Sequence, residues 1–78
     1  MNMFKDITYA LANRIEEDFG FRSSKCFDMA LQFYKTLPKE ELSLDKIDDY
    51  YRDLKKKIIS GEIIWIIEGQ YLYYQKYE

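Results

Sequence analysis

Histidine is missing from this chain, and cysteine, proline and glycine are scarce: Cys26, Pro38 and three glycines in 78 residues. Without His, and with a lone Cys, a zinc site built on those ligands has no donors. Ser–His and Cys–His nucleophile pairs are excluded for the same reason. One cysteine forms no internal disulfide, which fits a reducing, cytoplasmic setting. Gly20, Gly61 and Gly69 stand isolated, so no glycine-rich loop is present to cradle phosphate, and no cofactor is expected. The longest apolar run, Ile63 to Ile67, is far short of the about 20 residues that span a bilayer, so no membrane contact is expected. The N-terminal MNMFKDITYALANRIEEDF carries charges throughout and does not read as a signal peptide. A net charge of −2 gives little long-range steering toward nucleic acid or anionic lipid.

What is present is the composition of a folded protein, with 33% charged and 47% hydrophobic residues. The length suits one domain, residues 1–78, with a single core. Three amphipathic helices can be read in order. The first has Phe4, Ile7, Leu11, Ile15 and Phe19 at spacings of three and four, with Asn2 as its cap. Gly20 stops it, and Phe21 is placed to fold back on the last turn as in a Schellman motif. Glu16, Glu17 and Asp18 crowd its C-terminal end, where the macrodipole disfavours them; a solvated face is their simplest reading. The second helix starts at Ser23 or Ser24 and runs to Leu37, closed by Pro38. Its apolar arc is wide, which predicts the central, most buried helix, with Cys26 as a small buried hydrophobe.

The segment LPKEELS connects to a third helix capped by Ser43, with Leu44, Ile47, Tyr51, Leu54 and Ile58 on one face. Its acids precede its bases, and Asp48–Arg52 and Asp53–Lys57 have favourable i,i+4 spacing. Ser60-Gly61 ends it. GEIIWIIEGQYLYY then reads as a β-hairpin, in which Trp65 faces Leu72 across a two-residue Glu68-Gly69 loop or Tyr71 across a bulged one. The expected class is α+β, three helices followed by a C-terminal hairpin (αααββ). The expected core is Phe4, Ile7, Leu11, Ile15, Ala30, Leu31, Tyr51, Leu54, Ile58 and at least one of Ile63 and Trp65.

Residues 47–75, with YYRDLKKKI followed by a glycine-led hairpin, resemble the recognition helix and wing of winged-helix regulators. The resemblance implies a winged-helix-like domain that binds DNA as a dimer, with the third helix in the major groove. The chain departs from that pattern where it matters. Asp45, Asp48 and Asp49 stand at the end that would meet phosphates, and the wing sets Lys76 against Glu62, Glu68 and Glu78.

Asp45 and Asp49 share a helical face, but adjacent acids on one helix do not converge on a metal or substrate, so neither a metal site nor an enzyme is expected. Tyr50, Arg52, Lys55, Lys56 and Lys57 form a small basic-aromatic patch of the kind that holds single-stranded nucleic acid. Acids flank it on both sides, which disfavours that use. The strongest compositional signal is eight tyrosines and one tryptophan, residue types concentrated at protein interfaces. Strand alternation puts Ile64, Ile66, Tyr71 and Tyr73 on outward-facing positions, with Tyr77 beyond them. An apolar face of about 300–400 Å² there would be large enough to recruit another protein or a second copy of the chain. The expected function is a small, non-catalytic protein-binding module, a regulator or inhibitor of another protein, and a mobile-element origin would suit its size.

Overall fold

A computed structural model describes the backbone of residues 3–68 and 71–76 and the side chains of residues 3–63. Helix α1 spans Met3–Phe19, α2 Ser23–Tyr34 and α3 Ile47–Ile59, with 3₁₀ turns at Lys39–Glu41 and Leu44–Lys46 between α2 and α3. Among the residues with described side chains, every buried apolar one except Ile63 lies on one of the three helices. The stripe Ile7, Leu11 and Ile15 of α1 is fully buried, as are Ala30 of α2 and Leu54 of α3. Helix α1 packs against both α2 and α3, so it, and not α2, is the central helix. The wide apolar arc of α2 has a different cause: α2 also lies beside the segment that follows α3.

That arrangement corrects the expected class. In the body whose side chains are described, 79% of residues are helical and helix packs on helix to make the core. The layers that form a core define the class, and these layers are α-helices. The α+β, winged-helix-like description therefore gives way to a small all-helical body. The backbone of β1 (Ile63–Glu68) and β2 (Tyr71–Lys76) runs antiparallel, with Trp65 opposite Tyr74 and Glu68 opposite Tyr71. Neither register read from the sequence matches that pairing, because Glu68 stays in the extended ladder instead of turning. Of these two segments only Ile63 has a described side chain, and it joins the helical core.

Local chemistry sets the helix ends. Gly20 adopts φ +74°, and its N–H donates to the Glu16 carbonyl at 2.9 Å, a single-bond left-handed cap in place of the Schellman pair. Phe21 does fold back, its ring stacked on Phe19 at 5.2 Å. At the end of α3 the Schellman pair is complete: Gly61 N–H reaches Ile58 O and Glu62 N–H reaches Lys57 O. Ser43 Oγ accepts the Asp45 N–H at 3.1 Å, so it caps the 3₁₀ turn that leads into α3. Helix α2 has Arg22, not a serine, at its cap position and ends at Tyr34, before Pro38. There the Thr36 and Leu37 N–H groups switch to carbonyls three residues back, and the Thr36 hydroxyl also bonds Phe33 O at 2.7 Å. The Asn2 cap lies outside the described residues.

Phe4 departs from the expected core at 39% exposure, with its ring edge-on to Tyr34 at 5.0 Å. Leu31 and Ile58 are half-buried. Thr8 is fully buried, and its Oγ1 has no hydrogen-bond partner among the described residues. An orphaned buried hydroxyl is destabilising relative to a methyl of the same shape. Thr8→Val is therefore expected to raise stability by about 1 kcal/mol in urea unfolding. Leu54→Ala should lower it by about 2–4 kcal/mol. An unchanged midpoint for Leu54→Ala would contradict the packing of α3 against α1.

Candidate functional site

Helix α1 turns one stripe toward the core, which leaves Tyr9, Ala12, Asn13 and Glu16 along its flank at helical spacings of three and four. Across from them stand Ser23, Ser24, Cys26 and Phe27 of α2. Together the eight residues line a groove of ≈ 430 Å³. Buried Ala12 and Cys26 lie at its base. Tyr9, 48% exposed, meets Phe27 at one point along it, with ring centroids 5.2 Å apart and planes tilted by 40°. Glu16 accepts the Ser23 hydroxyl at 3.5 Å and is the one charged residue in the lining.

The Cys26 thiol donates to the Phe21 carbonyl at 3.4 Å. Burial, reinforced by the nearby Glu16 carboxylate, pushes its pKa up, which keeps it protonated and a poor nucleophile. The groove therefore offers aromatic surface, hydroxyl and amide hydrogen bonds and one carboxylate. That is equipment for binding.

The second polar centre holds α3 to α1. The Tyr51 hydroxyl donates to Asp18 Oδ2 at 2.6 Å and lies 3.3 Å from the Arg14 carbonyl. Lys55 reaches the same Asp18 oxygen at 3.3 Å, and Arg14 pairs with Asp48 at 2.6 Å. Burial and the adjacent Asp18 carboxylate push the Tyr51 pKa up. The hydrogen bonds from Tyr51 and Lys55 hold the Asp18 carboxyl below its ordinary range. The acid that the α1 macrodipole disfavours is thus offset by partners from α3.

The basic-aromatic residues are brought together on α3, and all but Lys56 have a structural occupation. Tyr50 accepts the Ser43 N–H at 3.3 Å and donates to Glu41 O at 3.4 Å, which ties down the connection before α3. Arg52 pairs with Asp49, Lys55 with Asp18, and Lys57 with both Asp53 and Glu62. Lys56 makes no ion pair among the described residues. The expected Asp48–Arg52 pair is replaced because Arg14 reaches Asp48 from α1. Ile64, Ile66, Tyr71, Tyr73 and Tyr77 lie outside the residues with described side chains.

Among the described residues no group of three Asp, Glu, Cys or His side chains is arranged around a metal position, and no helix is long and apolar enough to cross a membrane. No family model, curated protein or solved structure matches the chain. The groove escaped sequence reasoning because Asn13 and Glu16 read as an ordinary solvated face. The available signal was small Ala12 beside exposed Tyr9 and Asn13, opposite a Ser-Ser-x-x-Phe start to α2.

The α1–α3 centre carries a pH dependence. Asp18 has a depressed folded-state pKa, so its contribution is fully present above the ordinary value of 3.8 and is lost as pH falls through the folded value. Wild type should exceed Asp18→Asn in urea midpoint near neutral pH, and the gap should close below about pH 3.8. A gap that persists unchanged in acid would show that the carboxylate charge is not what joins the two helices.

Proposed function

We propose that this chain is a small, non-catalytic protein-binding module whose docking surface is the groove between α1 and α2. The observation that carries the reading is the groove's lining: aromatic and small apolar surface rimmed by hydroxyls, an amide and one carboxylate. Tyr and Phe contribute large contact area at little entropic cost, and the polar rim fixes orientation. The one nucleophile type in the lining with intrinsic reactivity, the Cys26 thiol, is held protonated. A module of this size acts by occupying a target's surface, which suits a regulator or an inhibitor.

DNA binding as a dimer is the competing reading, and the α3 surface supports it poorly. Its Arg52, Lys55 and Lys57 side chains already have carboxylate partners, which reduces the counterion release that drives phosphate binding. Titration of labelled duplex at low salt tests it directly, and tight binding with a steep salt slope would support it against ours.

A photo-cross-linking amino acid at Ser24, on the groove, should trap a discrete protein species in cell extract. The same group at Asp49, on the outer face of α3, should not. Equal cross-linking from both positions, or from Asp49 alone, would contradict the assignment of the groove.

A further inference from the structure

The chemistry of the groove specifies its occupant more closely than "protein". Only one formal charge lines it, the Glu16 carboxylate, and no cation stands among the lining residues. Glu16 makes no ion pair among the described residues, in contrast to Asp18, which is held by Lys55. Its one recorded side-chain partner, the Ser23 hydroxyl, is 3.5 Å away, well beyond the about 2.5–2.7 Å of a strong hydroxyl–carboxylate bond. The carboxylate therefore keeps acceptor capacity. Asn13 and Ser24 add further oxygens, and the Tyr9 and Phe27 rings offer π faces.

We infer that the α1–α2 groove receives an arginine side chain of a partner polypeptide, with its stem over Ala12 and Cys26 and its guanidinium on Glu16. Arginine suits this lining better than lysine. Its planar fork supplies five donors to a wall rich in acceptors, and it stacks on aromatic faces. This inference rests on the protein-binding reading and adds the residue type that anchors the partner.

A plainer role for Glu16 is electrostatic support for the first turn of α2, to which Ser23 belongs. The two roles separate by experiment. The probes are two end-capped tripeptides, Gly-Arg-Gly and its citrulline counterpart, which keeps the shape and loses the charge. Each is titrated into isotope-labelled full-length chain and followed by amide chemical shifts. The arginine peptide should perturb residues 9–16 and 23–27. The citrulline peptide, or Glu16→Gln with the arginine peptide, should bind at least about fivefold more weakly, as loss of a charge-assisted hydrogen bond requires. Glu17→Gln, one position off the groove, should leave the affinity unchanged.

Equal binding of the two peptides, shifts confined to other residues, or no binding of the arginine peptide would overturn the inference. So would a Glu16→Gln variant with a lowered unfolding midpoint and unchanged peptide affinity, the signature of the α2 role. A partner that still cross-links from position 24 in the Glu16→Gln variant would remove arginine recognition and leave protein binding intact. Loss of cross-linking from position 24 in the wild type would remove both.

Discussion

The structure depends on the burial of one stripe of α1. Ile7, Leu11 and Ile15 are wholly removed from water, and α2 and α3 both pack on the helix that carries them. In so small a chain a single core must supply nearly all the stability, so the helix shared by both interfaces governs the rest. With that stripe committed inward, the geometry of the flanks follows. One flank brings Arg14 and Asp18 against Tyr51, Asp48 and Lys55 of α3. The other leaves Tyr9, Ala12, Asn13 and Glu16 beside the first turn of α2 and creates the groove. The proposed binding surface is thus a by-product of how the core closes.

The three helices were legible because their signals are local. Spacings of three and four placed the buried faces, and Gly20, Ser43 and Gly61 marked ends that their backbone bonds then shaped. What was illegible is what depends on partners distant in the chain. Nothing in the acidic end of α1 announces that Tyr51, 33 residues away, will donate to Asp18. Nor does the i,i+4 rule foresee that Arg14 takes Asp48 and leaves Arg52 to Asp49. The wide apolar arc of α2 pointed to a central helix, whereas α1 is the helix packed on both others and the arc of α2 is explained by the segment that follows α3. The class was misread for a related reason. The β-propensity of residues 63–74 is strong, and propensity is silent on which elements form the core.

The two polar centres differ in kind. Between α1 and α3 each group meets a partner of complementary chemistry: hydroxyl with carboxylate, ammonium with carboxylate, guanidinium with carboxylate. The depressed Asp18 pKa and the elevated Tyr51 pKa register that closure. In the α1–α2 groove the matching is incomplete. Glu16 has a distant hydroxyl where Asp18 has a phenol at 2.6 Å and a lysine. Exposed Tyr9 keeps nearly half its surface in water although its ring leans on Phe27. A satisfied centre holds a fold together, whereas an under-satisfied groove with an aromatic wall has capacity left for a ligand.

Amide hydrogen exchange on the full chain, free and in complex with the partner captured through the groove, tests that distinction most directly. The account requires slowed exchange in the complex to concentrate in residues 9–16 and 23–27, the two walls of the groove, with residues 47–59 of α3 unchanged. Protection confined to α3, or to residues beyond 63, would place the docking surface elsewhere and contradict the account.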